Sequence, residues 1–337
     1  MYYKNYLSVI VIAHDRKTFL LEAVDSVFSQ TLKRSAFEII VIKNFEDESI
    51  DRYLAKKEIK VINTHEVNLG SKCVIGIQAS RGNILSFLED DDIYLPEKLE
   101  NTLLKFEDDD LSYYHNNFII SNEVGGILEK NLFKHQTKSH KFKIGKVNIR
   151  SLRKYINEGI YFNLSCLAIR VEIIKPYLNQ LKSVSIATDN FMFYVALDSG
   201  KTIFSDHNKF TRYRLHNSNE SFRLETSKQL AIDKTKSFLR RDIIGYETIL
   251  SICKDSTVRE IVECRVLAPK INFRLLNGKD DALRWKDCFH GLKCAVKLHN
   301  KQLLLLALLE IFLGNSSNLT QSIYSLYLSR VSKKFRK

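Results

Sequence analysis

The sequence predicts an α/β protein: a doubly wound, mixed sheet over residues 1–220, followed by a basic, all-helical appendage over 221–337. Three observations carry this. Continuous apolar runs, the mark of strands covered on both faces, alternate with segments of helical spacing. The run Ile84–Leu88 ends abruptly in four carboxylates, Glu89, Asp90, Asp91 and Asp92, at the strand end where open α/β sheets bind ligands. From Glu225 onward the spacing is helical throughout, and the charge balance changes near residue 220.

The elements follow in order. Leu7–Ile12 is a buried strand, and Leu20, Val24, Val27 and Phe28 recur at helical spacing. Phe37–Ile42 is a second strand, Ser49–Lys57 a short helix, and Ile59–Asn63 a third strand. Asn68-Leu-Gly70 opens a helix through Ala79 that Arg81-Gly82 closes. After strand 84–88, Pro96 suits the first turn of a further helix, so the acids occupy a strand-to-helix loop. Leu111–Ile120 and Gly126–Phe133 read as strands, and the polar, basic stretch Lys134–Lys146 as a mobile loop. A helix over Val147–Asn157, a strand over Ser165–Ile169 and a helix over Asp189–Ser199 complete the first part. The appendage divides into helical segments near 226–252, 256–276, 279–299, 301–313 and 317–333.

Four adjacent acids repel one another, so a fold that ends a core strand on them requires a compensating cation. Oxygen-only ligands favour a hard ion, Mg2+ or Mn2+, which commonly bridges to substrate phosphates. A solvated acidic loop is the competing reading.

At 337 residues, 45% of them hydrophobic and only three of them proline, the chain is globular rather than disordered. The net charge of +13 is unevenly spread: residues 1–220 carry 30 basic and 28 acidic side chains, residues 221–337 carry 22 and 11. The last third therefore suits an anionic surface. Its aromatics form no stacking face and it holds no recognisable nucleic-acid module, so nucleic acid is not an expected partner. Six cysteines without a Cys-x-x-Cys pair fit free thiols in a reducing compartment, and the expected location is cytoplasmic. Cys288, His290, Cys294 and His299 match no standard zinc spacing. The apolar stretch Leu303–Leu313 is about half the roughly 20 residues of a spanning helix, so no transmembrane segment is expected.

Several motifs now stand in one order, and together they resemble the family 2 glycosyltransferases of GT-A fold. Ser8–Arg16 is similar to that family's opening strand, which usually ends Pro-Thr-Tyr-Asn-Arg. Ser26-Val-Phe-Ser-Gln-Thr31 resembles Ser-Val-x-x-Gln-Thr; Asn68-Leu-Gly70, Gly76-Ile and Ala79-Ser-Arg-Gly82 resemble the helix before the acidic strand. Phe87–Lys98 is similar to Phe-Leu-Asp-Asp-Asp-Asp-x-x-x-Pro-x-Lys. The resemblance covers residues 7–105, with islands at 188–190 and 212–221.

The resemblance implies an inverting hexosyl- or related transferase. It would move a sugar from a nucleotide diphosphate sugar to a glycan or lipid-linked acceptor, in polysaccharide biosynthesis. Aligned on Asp-x-Asp, Asp91 is the expected metal ligand. Glu89 supports the ribose or a metal-bound water, Asp92 is a further ligand or stands behind the first, and Asp90 lines the site toward the sugar. Asp189, in Ala187-Thr-Asp-Asn190, falls where the family has the second residue of a Glu-Asp pair, and is the expected base; a simple helix cap is the alternative. In Arg212-Tyr-Arg-Leu-His216, His216 matches a family histidine that binds metal or pyrophosphate, and Arg214 or Arg212 offers a fork for phosphate. Ile12, Ala13, Asp15, Arg16 and Lys72 are expected nucleotide contacts. Lys43-Asn44 stands where Asp-Asp usually follows the second strand; Lys43 cannot accept a hydrogen bond from the base, whereas Asn44 can, so the base stays open with UDP as default.

Two other functions compete. Nucleotidyl transfer uses a similar sheet, yet His14-Asp-Arg-Lys-Thr18 lacks the glycines of a phosphate loop. A non-catalytic, degenerate sugar-nucleotide-binding protein fits the departures at Lys43, Glu89 and Thr188. The appendage, with Leu303–Leu309 and the tail Arg330–Lys337, either lies on an anionic membrane at its inner face or packs within the protein or against a twin subunit.

Overall fold

The computed structural model describes residues 4–128, 136–216, 219, 228–277, 285–297 and 301–313. The chain divides into two compact units, Met1–His216 and Asn217–Lys337.

The first unit runs β1 (Leu7–Ile12), α1 (Leu20–Phe28), β2 (Phe37–Lys43), α2 (Glu48–Lys56), β3 (Lys60–Asn63), α3 (Leu69–Ala79), β4 (Ile84–Glu89), β5 (Ile93–Tyr94), α4 (Lys98–Lys105) and β6 (Leu111–Ser121). It continues with β7 (His140–Phe142), α5 (Ile149–Asn157), β8 (Leu167–Arg170), α6 (Val171–Ile174), α7 (Leu178–Leu181), α8 (Thr188–Asp198) and β9 (Thr202–Arg214). One sheet has the strand order β3-β2-β1-β4-β8-β6-β9-β5, with β7 on β9. The β3-β2-β1-β4 half is parallel, β8 pairs antiparallel with β4 and β6, and β6 pairs parallel with β9.

The parallel half follows from its sequence. All side chains of β1 and β2 are buried, as both faces are covered by helices. The helices between the strands are capped where the chain supplies acceptors: Asp47 takes the amides of Ser49 and Ile50, and Asn68 takes that of Ser71. In β1–β4 pairing Ile12 stands opposite Glu89, which brings the two strand ends to one edge.

Gly70 carries a constraint of its own. Its amide donates to the Val184 carbonyl at 3.0 Å, and a Cβ there would sit 2.0 Å from Leu181 O and 2.4 Å from Val184 O. Backbone cannot yield as a side-chain tip does. Gly70→Ala is expected to cost about 2–3 kcal/mol of stability by overpacking, read as a lowered midpoint in denaturant unfolding of the full chain.

Three parts differ from expectation. The basic stretch read as a mobile loop contains β7: Phe142 is buried, His140 stacks on Tyr155 at 3.8 Å, and Lys141 and Lys143 pair with Asp108 and Asp110. Of the expected strand Gly126–Phe133, Ile127 makes an isolated bridge to Ser121 and residues 129–133 lie outside the described residues. The 13-residue β9, unforeseen, is the partner that makes β6 an interior strand.

The second unit is helical: α9 (Lys228–Ile252), α10 (Ser256–Asn277), α11 (Trp285–Lys297) and α12 (Lys301–Leu313). The expected helix 317–333 and the basic tail lie outside the described residues. Cys264, Leu267, Ile271 and Leu275 of α10 pack with Cys294 of α11 and with Leu303, Leu306 and Ala307 of α12. The expectation of six free thiols is corrected here, because Cys264 and Cys294 form a disulfide with Cα atoms 5.5 Å apart. The bond joins two helices that pack face to face, a proximity no local spacing reveals. Cys288 is buried and lies outside that disulfide, and His299 lies outside the described residues. Phe289, Val296, Leu305 and Leu308 are exposed on α11 and α12. Among the described residues, no helix is long and apolar enough to cross a membrane.

Candidate active site

The ends of β1, β4 and β9 meet at the acidic segment. The amide of Asp90 donates to Ile12 O at 3.1 Å, and that of His14 to the Asp90 carboxylate at 3.1 Å, so the first strand's end is stitched to the acids. Arg16 then reaches across them: Nη2 lies 2.6 Å from Asp90 Oδ1 and Nη1 2.7 Å from Asp91 Oδ2. His216, two residues beyond β9, places Nε2 2.9 Å from the same Asp91 oxygen, and its ring leans on Phe19 at 5.3 Å. Asp91 Oδ2 is thus the point where carboxylate, guanidinium and imidazole converge.

The electrostatics follow from burial. Desolvation and the neighbouring Asp91 push the Asp90 carboxyl up to about 7. Desolvation and then repulsion from Asp91, Asp92 and Asp189 hold the Glu89 carboxyl well above the usual range. Burial works against Asp91 as well, but the His216 bond and the Arg16 charge outweigh it and keep this carboxyl below its ordinary value. One carboxylate of the four is therefore stabilised as an anion at the convergence point. Among the described residues nothing donates to the side chain of Glu89, whose amide is held by Ser165 Oγ at 3.0 Å.

These residues fit a hard divalent cation. Asp91 and His216 meet as a pair of suitable donors, and the raised carboxyls of Glu89 and Asp90 beside them are groups whose ionised form a cation would favour. Among the described residues, no group of three His, Cys, Asp or Glu side chains closes a cage. Remaining positions on such an ion would fall to a phosphate ligand and water.

Asp92 stands behind the convergence point rather than at it. It is fully buried, Oδ2 accepts from Asn163 Nδ2 at 2.9 Å and Oδ1 from the Arg214 amide at 3.1 Å, so both oxygens are engaged inside the protein. Arg214 likewise directs its fork inward, to Asp91 O, Glu123 O and the Glu22 carboxylate, with Phe19 beneath it. It clamps the acidic loop to β9.

On the other side of Arg16 lies a polar group formed by His14, Asp15, Asn44 and Lys72. Asn44 Oδ1 accepts from the Asp15 amide at 3.0 Å, and Asn44 Nδ2 donates to the Asp15 carboxylate at 2.6 Å. The buried Lys72 ammonium reaches Ala13 O, His14 Nδ1 and Asn44 Oδ1 within 2.9 Å, and burial lowers it to about 8. Ile12 and Ala13 are buried, and their backbone is taken up within the protein: Ile12 O accepts the Asp90 amide, the Ala13 amide donates to Ile42 O, and Ala13 O accepts Lys72. Lys43 is not part of this group: fully buried, it turns to Asp51 Oδ1 at 2.8 Å and Phe45 O at 2.6 Å and anchors α2.

Asp189 stands in the first turn of α8, after Ala187 in a left-handed conformation (φ 53°). Its carboxylate accepts from its neighbour's amide, Asn190 N, at 2.8 Å and from Asn163 N at 2.9 Å, and burial raises it to about 6. Three residues link this carboxylate to the acids: Asn163 and Ser165, which the sequence did not single out, and Lys98, which it matched as the end of the Pro-x-Lys motif without a role. The Lys98 ammonium, wholly buried and lowered by desolvation to about 8, donates to Asn116 Oδ1 and Ser165 O. The one local signal was an asparagine shortly after Gly159, the residue types that tolerate positive φ.

The chain is similar to known proteins. A curated uncharacterized glycosyltransferase of Rickettsia bellii is 30% identical over 127 residues, 36% of this chain and 18% of that protein. A second, of Haemophilus influenzae, is 32% identical over 106 residues, 30% of this chain and 34% of that protein. The matched segment thus spans about a fifth to a third of these relatives' length. Crystal structures of Staphylococcus aureus TarS residues 1–349, in complex with UDP and with UDP-GlcNAc, share the fold. Both have a TM-score of 0.56 and cover 98% of this chain and 91% of TarS, at 14% and 12% identity. The mixed sheet with its helices is that of a GT-A glycosyltransferase, followed by a helical region. The family model described as Glycosyl transferase family 2 matches residues 8–177, half of the chain and the whole of the strand order up to β8, and the chain belongs to that family.

Proposed function

We propose that the chain transfers a hexose or related sugar, with inversion, from a nucleoside diphosphate sugar to a hydroxyl of a glycan or lipid-linked acceptor. The observation that carries this reading is geometric: Arg16 and His216 converge on one oxygen of Asp91 at the end of the acidic strand, while a second carboxylate, Asp189, is held on a separate helix start by the amides of Asn163 and Asn190.

Mg2+ or Mn2+ bound by Asp91 and His216 would supply Lewis-acid neutralisation of the diphosphate as it leaves. Arg16 holds its charge beside the same position and is raised further by Asp91 and Asp90 against the cost of burial, so it stays a cation throughout. Asp189 takes the proton of the acceptor hydroxyl as that oxygen bonds to the anomeric carbon and the bond from that carbon to the phosphate oxygen breaks. His14, Asp15, Asn44 and Lys72 receive the nucleoside. The UDP and UDP-GlcNAc held by TarS support a uridine donor.

The second unit is proposed to rest on an anionic membrane. The exposed apolar residues of α11 and α12, and nine basic against two acidic side chains over 285–337, support this placement. A twin subunit on the same helices is the competing occupant.

Calorimetry with UDP, GDP, dTDP and CMP, each with and without Mn2+, tests the donor reading. Metal-dependent binding of one nucleoside diphosphate is expected, with UDP the strongest. Failure of all four to bind with Mn2+ present would overturn it in favour of a degenerate fold.

A further inference from the structure

The proposal rests on the glycosyl-transfer reading and concerns a residue with no role in it so far. Asn163 lies between α5 and β8 with φ 75° and ψ 117°, a left-handed backbone that a side chain other than glycine adopts only where its surroundings impose it. Three hydrogen bonds impose it here. Its amide donates to Asp189 Oδ2 at 2.9 Å, its Nδ2 donates to Asp92 Oδ2 at 2.9 Å, and its Oδ1 accepts from the Ser165 amide at 2.6 Å. The residue is buried, so none of these bonds has water as a ready substitute.

Ser165 extends the link. Its Oγ accepts the Glu89 amide at 3.0 Å, and its carbonyl accepts the Lys98 ammonium at 2.9 Å. A short segment therefore grips the acidic motif at two points, the Glu89 backbone and the Asp92 side chain, and grips the α8 carboxylate with its backbone.

We propose that Asn163 is a positioning residue that fixes the expected base, Asp189, relative to the acidic motif on β4, and so sets where the acceptor hydroxyl meets the anomeric carbon. Inverting transfer needs the acceptor oxygen in line behind the bond that breaks, and small displacements of a reacting group are costly: about 1 Å can cost roughly 100-fold. Asp189 and Asp92 are on different elements, α8 and the β4–β5 turn, and Asn163 contacts both with one amide hydrogen and one carboxamide.

Asn163→Gly separates the roles. Glycine adopts φ 75° freely and keeps the amide that holds Asp189, while the carboxamide bridge to Asp92 and Ser165 is lost. The test measures turnover, the donor's KM and calorimetric nucleotide binding for wild type, Asn163→Gly and Asp189→Asn, with thermal melting beside them. The expected result is a fall in kcat of about 10- to 100-fold with donor KM and nucleotide affinity within about twofold of wild type. A filler role alone would lower the melting temperature and leave kcat per folded molecule unchanged, which would overturn the proposal. So would a loss of donor binding equal to the loss of turnover, since that places Asn163 with the acids alone. If Asn163→Gly does not fold, the isosteric Asn163→Asp, which sets an oxygen against Asp92, decides by the same two readouts. A wild type that transfers no sugar from any nucleotide donor fails the parent reading and takes this proposal with it. A wild type that transfers while Asn163→Gly transfers equally well fails this proposal alone.

Discussion

Asp91→Asn is expected to lower sugar transfer by about 100- to 1,000-fold, the range seen when a single electrostatic group aimed at developing charge is removed. It is also expected to abolish the metal dependence of nucleotide binding. The argument is positional. Asp91 Oδ2 is the atom on which Arg16 and His216 both converge, and this carboxyl is held below its ordinary range while Glu89 and Asp90 are pushed above theirs. An amide of the same shape keeps the contacts of the loop but offers no charge to a cation. The fold should survive. Arg16 keeps Asp90 at 2.6 Å, so its guanidinium is not stranded. Removing the Asp91 charge also relieves the repulsion it exerts on Glu89, Asp90 and Asp92. Initial rates across an Mn2+ titration, with melting curves for both proteins, check this. Near-wild-type turnover by Asp91→Asn at saturating Mn2+ would move the metal role to another acid.

The parallel half of the sheet was legible in the chain because its signals are local. Leu7–Ile12, Phe37–Ile42 and Ile84–Leu88 are unbroken apolar runs, and Asn68 and Gly82 mark a helix start and stop in the residues themselves. The acidic segment was legible for the same reason, since four carboxylates after an apolar run are a contradiction that only a charge partner resolves. What the sequence did not reveal depends on contacts between distant residues. β9 carries four consecutive polar residues, Asp206–Lys209, and reads as a polar stretch until β6 pairs along it. Lys43 was a candidate nucleotide contact because it stands where the family has Asp after the second strand, but its partner is Asp51 on the next helix. The sequence left Asp92 as a further ligand or as a residue behind Asp91; Asn163 and the Arg214 amide, 71 and 122 residues away, take its oxygens. The Cys264–Cys294 bond, 30 residues apart across two packed helices, escaped for that reason too.

The same distinction between charge held and charge released gives the second large effect, at Asp189. Asp189→Asn is expected to reduce kcat by about 1,000-fold, within the usual contribution of a positioned base, while nucleotide binding with Mn2+ stays within about twofold of wild type. The amide keeps an oxygen to accept from Asn163 N or Asn190 N, so the helix start is preserved, but it cannot take a proton. A simple helix cap would behave in the opposite way, losing stability with little change in turnover per folded molecule. The pH dependence sharpens the contrast. Burial raises Asp189 from the ordinary aspartate range to about 6, and the base must be ionised to act, so wild-type kcat should rise with pH through a limb near 6 and level off above it. Below that limb the carboxyl is protonated and turnover falls tenfold per pH unit. In Asp189→Asn the residual rate should show no limb there. If both proteins share the limb, the titrating group is another, and Asp189 is the cap of α8 rather than the base.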